Sequence, residues 1–300
     1  MKKTSQVQMQ DQAQLSAFSE DIRIFKDVLR RNVLYPIGLI VVLAFMIYSA
    51  IFAVYPKIIG YNPSYTDLSV ILQPPSLRFP FGTDDLGRNL FLKALNGAPI
   101  DAAISLSVVL LALVIGVLTG ATAGYFGGIV QQVIMGVTDI FLAFPGLVLA
   151  VAFAAALGSG MVNVMIALSV VWWPVYTRLA RGETLSVKEQ QYVTAAKASG
   201  LSGVRIVIEH IMPNVITTMI AYATADIGNV ILISAVLGYL GLGAQPPNVD
   251  LGRIVYDGQS FIQFAPWYSI LPGVMLFIIA ISFAFVGDLL RDFLDPKMRI

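Results

Sequence analysis

Residues Ala102–Gly124 read AAISLSVVLLALVIGVLTGATAG, twenty-three residues without a charge. Polar and apolar side chains do not alternate along this run, so it does not fit the roughly ten-residue, two-faced strand of a membrane barrel. As a helix it can cross a hydrocarbon layer about 30 Å thick, which needs about 20 apolar residues. The span built on it is Ile100–Tyr125, and five other stretches qualify: Val33–Tyr55, Val133–Leu157, Met161–Ala180, Asn214–Tyr239 and Tyr268–Leu290. Composition agrees, with 57% hydrophobic and 12% charged residues against about 25% charged in soluble domains. The expected fold class is an all-α integral membrane protein with six transmembrane helices.

Lys and Arg orient it. With the N-terminus inside, the inner segments hold Lys2, Lys3, Arg23, Lys26, Arg30 and Arg31, then Arg178, Arg181, Lys188, Lys197 and Arg205, then Arg291, Lys297 and Arg299. The outer ones hold only Lys57, Arg78, Arg88, Lys93 and Arg253. The excess places both termini in the cytoplasm. The expected organisation is a cytoplasmic tail over 1–32 and a six-helix domain over 33–300. That domain has outer loops at 56–99 and 240–267, a cytoplasmic loop at 178–213 and a short cytoplasmic tail at 291–300. No short apolar core with a small-residue cleavage site opens the chain, so the first span reads as a retained anchor.

Catalytic chemistry has little to work with. The chain has one histidine, His210, and no cysteine, which removes disulfides, thiolate catalysis and clustered histidine–cysteine metal sites. No G-x-S-x-G elbow and no G-x-x-x-x-G-K-[ST] phosphate loop occurs. His210, beside Glu209, reads as a solvated or docking-surface residue. Any ATP hydrolysis falls to another chain.

The 178–213 loop reads as two short helices around a bend. Ser186 with Glu189 three residues later matches a capping box that opens a helix through Tyr192, Val193, Ala195 and Ala196. Gly200 can end it in a left-handed conformation, Ser202 can cap a second stretch from Val204 to Met212, and Pro213 must stop or bend that stretch. Small side chains at Ala195, Ala196 and Ala198 would let a partner approach the backbone closely. An ordinary helical loop on the membrane face fits the same spacing.

The run Thr194-Ala195-Ala196, then Gly200, then Pro213 resembles the EAA loop of ATP-binding-cassette (ABC) importer permeases, with pattern Glu-Ala-Ala, Gly and Ile-x-Leu-Pro. Thr194 stands where the pattern has Glu, His210 where it has Ile and Met212 where it has Leu. Phe81–Asn89 (FGTDDLGRN) resembles the Gly-Thr-Asp-x-x-Gly-Arg-Asp segment of the dipeptide/oligopeptide/nickel permeases, and Gly238–Pro247 (GYLGLGAQPP) their Leu-Gly-Leu-Gly-x-Gln-Pro-Pro segment. Pro266-Trp267, Leu271-Pro272-Gly273 and the run from Gly287-Asp288 through Arg291-Asp292 to Asp295-Pro296 resemble their C-terminal end. Six spans and a long tail are similar to the second, C-type permease.

That resemblance implies a type I importer permease in a prokaryotic plasma membrane, paired with a B-type permease, two cytoplasmic ATPases and an extracytoplasmic solute-binding protein. Lipid is its other partner and nucleic acid is not one. It implies no cofactor on this chain, with ATP and Mg used by the ATPases. It also implies an ATPase-docking loop of Thr194, Ala195, Ala196, Gly200, Leu201 and Pro213, and solute import by alternating access. Di- or oligopeptide is the default solute, with oligosaccharide or nickel as alternatives. A proton-coupled secondary carrier using Asp226 is a further alternative, and an intramembrane enzyme is disfavoured.

Within the membrane, Gly116, Gly120 and Gly124 recur every four residues and make one helix face suited either to close packing or to a moving hinge. Pro145, Pro174 and Pro272 can bend helices. Asp226, about twelve residues into the fifth span, is expensive there unless it faces protein or water. It is a candidate pathway-lining residue, or a carboxyl hydrogen-bonded to a neighbouring helix. Asp139 reads as a satisfied interface residue, while Asp101 and Asp288 read as helix-end residues with water available. The Asp84–Arg88 turn lacks the ligand spacing of a calcium loop; the resemblance makes it a contact for the partner permease or binding protein.

Overall fold

Among the described residues of the computed structural model, five helices are long and apolar enough to cross a membrane, and two more, set at 86° to each other, bring the number to six if the bent pair is one span. The structure describes residues 22–56 and 60–294. Most of the N-terminal tail, Lys57 and the tail beyond Leu294 lie outside the described residues. In chain order the helices are α1 (residues 22–31), α2 Leu34–Val54, α3 Leu90–Phe126, α4 Gly128–Leu142, α5 Gly146–Leu157, α6 Met161–Lys188, α7 Gln191–Ala198, α8 Gly203–Ile206, α9 Met212–Tyr239, α10 Leu251–Gln259 and α11 Trp267–Leu294. A π-helical turn, Val207–Ile211, joins α8 to α9 into one rod.

Several boundaries differ from the sequence reading. The third span is broken into α4 and α5, because Pro145 has no N–H to donate and holds Phe144 away from helical geometry. The second begins ten residues earlier than Ile100, at Leu90, where the Asn89 side chain caps it by accepting from the N–H groups of Phe91 (3.0 Å) and Leu92 (3.3 Å). The fourth continues from Ala180 to Lys188, so the first ten or so residues of the expected cytoplasmic loop are helical. Pro213 neither stops nor breaks its helix. It lies in the first turn of α9, just after the π-helical turn, where the Met212 N–H reaches the Val207 carbonyl.

α3 is the central helix, packed along α6 by glycine. A side chain on Gly116 would run into Tyr176; one on Gly120 would meet the Thr177 carbonyl at 2.5 Å and Ala180 Cβ at 2.8 Å; one on Gly124 would meet Thr184 Cβ at 2.8 Å. Thr119 and Thr177 share a hydroxyl hydrogen bond of 2.7 Å in the same seam. Gly120→Ala is therefore expected to destabilise the chain by about 1–3 kcal/mol through overpacking. Gly136→Ala in α4, where the added methyl meets nothing within 4 Å, should not; thermal unfolding of the purified chains in detergent compares them. α9 and α11 meet through single glycines, Gly228 against Ala280 and Gly287 against Ala225. α2 lies outside this set, its Gly38 against Phe285, and α4 and α5 carry most of their side chains in the open.

Candidate functional site

α7 and the turn after it form a knuckle at the end of α6. Ser186 does not cap it, because α6 runs on through Ser186 to Lys188 and α7 starts after Gln190. Lys188 Nζ donates to the Tyr125 carbonyl at 2.8 Å, and the ammonium groups of Lys188 and Lys197 lie over the Tyr125 ring, tying the knuckle to the end of α3. Gly200, with φ +79°, ends α7 in a Schellman motif: its N–H donates to the Lys197 carbonyl (3.0 Å) and the Leu201 N–H to that of Ala196 (3.3 Å). Ser202 then accepts from the Arg205 N–H at 3.4 Å.

The residues singled out in this loop divide between two faces. Thr194, Ala195, Ala198, Gly200 and Pro213 are exposed. Val193 and Ala196 are buried and Leu201 is half-buried, so these hold the knuckle onto the bundle. His210 is half-buried beside an exposed Arg205–Glu209 ion pair of 2.9 Å.

Asp226 is turned into the bundle with 4% exposure. Its carboxylate accepts from the Trp172 indole N–H (2.7 Å), the Tyr176 hydroxyl (3.0 Å) and the Asn229 amide (3.2 Å). This geometry favours the second of its two readings, a carboxyl satisfied by the neighbouring helix α6. Asp226→Ala leaves a buried Tyr176 hydroxyl without its acceptor and is expected to cost about 1–3 kcal/mol of stability, read as a lowered melting temperature. A variant with wild-type melting and altered solute selectivity would favour the pathway reading instead. Beyond it, Leu179, Glu183, Tyr222, Asp288 and Arg291 line a cleft of 580 Å³ between α6, α9 and α11.

At the opposite end, the two glycine-rich segments enclose carboxylates. Asp84 is fully buried; its Oδ1 accepts from the N–H groups of Leu86 and Arg88 (3.0 and 2.9 Å), and its Oδ2 from Arg88 Nε (2.7 Å) and Lys93 Nζ (3.2 Å). Lys93 also reaches Asp257 of α10 at 3.5 Å and donates to the Tyr268 hydroxyl of α11 at 3.3 Å, which itself donates to Asp85 at 2.9 Å. The turn expected to meet another protein is thus directed into this chain, and cationic and backbone donors occupy the oxygens a calcium ion would need. In the second segment, side chains on Gly238 or Gly243 would strike Asp250. Asp250 accepts from Ala244 N–H (2.7 Å) and, as the cap of α10, from Arg253 N–H (2.8 Å). Burial pushes its carboxyl above the ordinary range, against those two donors, which favour the charged form. Asp101 is no helix-end residue in water: it is 1% exposed within α3 and accepts from Leu251 N–H at 3.1 Å. Both segments line a 340 Å³ cleft with Tyr61, whose hydroxyl burial pushes up to about 12.

Asp139 and Arg178, from α4 and α6, form an ion pair of 2.6 Å on the open side of the bundle, with 58% and 55% of their side chains exposed. Sequence reasoning placed Arg178 in a cytoplasmic loop. It lies within α6, which continues past it to Lys188.

Comparison with known proteins decides what this bundle is. Residues 112–300 match the family model described as the binding-protein-dependent transport system inner membrane component. The chain belongs to that family. This permease is 40% identical to the dipeptide transport system permease protein DppC of Alkalihalophilus pseudofirmus, over 95% of the chain and 93% of the relative. It is 40% identical to the probable D,D-dipeptide transport system permease protein DdpC of Escherichia coli K12, over 86% of each. It is 36% identical to the glutathione transport system permease protein GsiD of Pectobacterium atrosepticum, over 90% of the chain and 89% of that relative. Its fold is similar to a crystal form of the MetNI methionine ABC transporter in an inward-facing conformation, with TM-score 0.58 and 20% identity over 69% of this chain and 98% of that one. It is a multi-pass permease subunit of the inner membrane, with the fold of a type I importer permease.

Proposed function

We propose that this permease forms half of the translocation pathway of an ATP-driven importer of di- and oligopeptides. The observation that carries the peptide assignment is near full-length similarity to relatives named for dipeptide transport; glutathione, itself a tripeptide, falls in the same class. Both termini and the α7 knuckle face the cytoplasm. Thr194, Ala195, Gly200 and Pro213 form the surface on which a nucleotide-binding subunit docks, while Ala196 and Leu201 hold that surface in place. The chain binds no cofactor. Two ATPase subunits use ATP and Mg²⁺, a second permease completes the pathway, and a solute-binding protein delivers the peptide. Closing of the ATPases moves the knuckles and shifts the bundle between inward- and outward-open states, a coupling that requires the two states to differ in their ATPase contacts.

The test is uptake by proteoliposomes holding the complex purified through this chain. ATP-dependent accumulation of a labelled dipeptide, stimulated by the binding protein, is expected. Accumulation of an oligosaccharide or nickel in its place would reassign the solute. Uptake driven by a proton gradient without ATPase subunits would make the chain a secondary carrier.

A further inference from the structure

The Asp139–Arg178 pair lies where neither charge can face lipid cheaply. Depth follows from the parallel packing of α6 on α3: Gly116 meets Tyr176, Thr119 meets Thr177, and Gly120 meets Ala180 and Arg181. Arg178 is therefore level with Leu118 and Thr119, and the uncharged run continues to Gly124. At 1.5 Å per residue the pair sits about 8 Å inside the end of that run. Charges at such depth face protein or a water-filled cavity, yet more than half of each side chain is uncovered by this chain.

A second observation marks the same face. The 86° break between α4 and α5 falls one turn after Asp139, and residues 143–148 are exposed throughout. Irregular backbone within a membrane is tolerated only where protein buries it or water reaches it. Phe141 and Trp173, edge to face at 5.6 Å, join the same two helices a second time.

The pair's own chemistry selects its ligand. Among the described residues the single 2.6 Å bond is the one hydrogen bond either side chain makes, so most guanidinium donors and one carboxylate oxygen remain unused. We infer that Asp139 and Arg178 form a solute-contacting station for zwitterions: the guanidinium takes the solute's carboxylate and the carboxylate its ammonium group. An exposed ion pair is worth only about 0–1 kcal/mol, so a zwitterion exchanges with it at little net cost. Such a station holds a passing solute weakly enough to release it. It suits a free peptide, and offers nothing matched to a neutral sugar or a bare metal cation. The inference rests on the importer reading above.

The chain has no cysteine, so Arg178→Cys or Asp139→Cys carries its single thiol. In the whole complex, with native cysteines of the other subunits replaced, a charged, membrane-impermeant thiol reagent should label these positions. Free alanyl-alanine should protect them, and its N-acetyl amide should not. Arg178→Gln and Asp139→Asn should each lower dipeptide uptake about tenfold, the scale of one charged hydrogen bond, with all subunits still co-purifying. Wild-type uptake, absence of labelling, or loss of the second permease from the purified variants would overturn the station, the last by making the pair a subunit contact. Failure of the unaltered complex to take up dipeptide with ATP would instead overturn the importer reading.

Discussion

Asp84→Ala should destabilise the permease by about 3–5 kcal/mol, the usual result of removing one member of a buried ion pair. Alanine supplies no acceptor for the N–H groups of Leu86 and Arg88, so the turn that fixes the start of α3 loses its organising centre. It also strands Lys93, 3% exposed, with only the longer Asp257 contact and a tyrosine hydroxyl. Asp84→Ala/Lys93→Met should be milder than Asp84→Ala alone, since the second change removes the stranded charge and keeps most of its apolar volume. Melting of the four combinations in detergent gives the coupling. Additive losses would mean that the two charges do not stabilise each other.

Gly200→Tyr should reduce ATP-driven uptake and binding-protein-stimulated ATP hydrolysis about a hundredfold, the scale of a central interface contact. The chain itself should still insert and fold. A side chain at Gly200 meets nothing within 4 Å, so the cost is the left-handed backbone, about 1–2 kcal/mol, at an exposed tip. There the ring stands out from the knuckle into the space a docked subunit would occupy. Gly200→Ala imposes the same strain without the ring, and should keep most of the activity. Normal transport by Gly200→Tyr would remove the docking assignment.

The membrane helices were legible because length and lack of charge are local properties, and Ala102–Gly124 displays both. The first turns of α3 were not. Lys93 and Asn96 look like loop residues and Asp101 like a helix end, yet each bonds to another segment: Asp84, Asn248 and Leu251 respectively. The glycine face of α3 announces itself through its four-residue repeat, whereas Gly228 and Gly287 each make a contact alone on their helices, leaving no spacing to read. At the candidate sites, the bend at Gly200 followed from glycine's conformational freedom. The division of Ala195 from Ala196 needed the orientation of α7 on Tyr125. The depth of Asp226 could be counted along its span, but its partners Trp172 and Tyr176 are about fifty residues away on another helix. The end of α6 was set too early because Arg181 and Glu183 look like loop residues, while helical geometry carries on through them to Lys188.

The network around Asp84 and Lys93 fastens the first turns of α3 and α11 to α10, while at the other end α6, α9 and α11 part around the 580 Å³ cleft. A bundle tied at one end and split at the other works like a pair of tongs. On the proposed mechanism, displacement applied at the knuckle would become rotation about the tied end, growing with distance from that fulcrum. If the importer works as proposed, the stiffness of a few buried charges at one end would set how far a push at the other end can open the jaws.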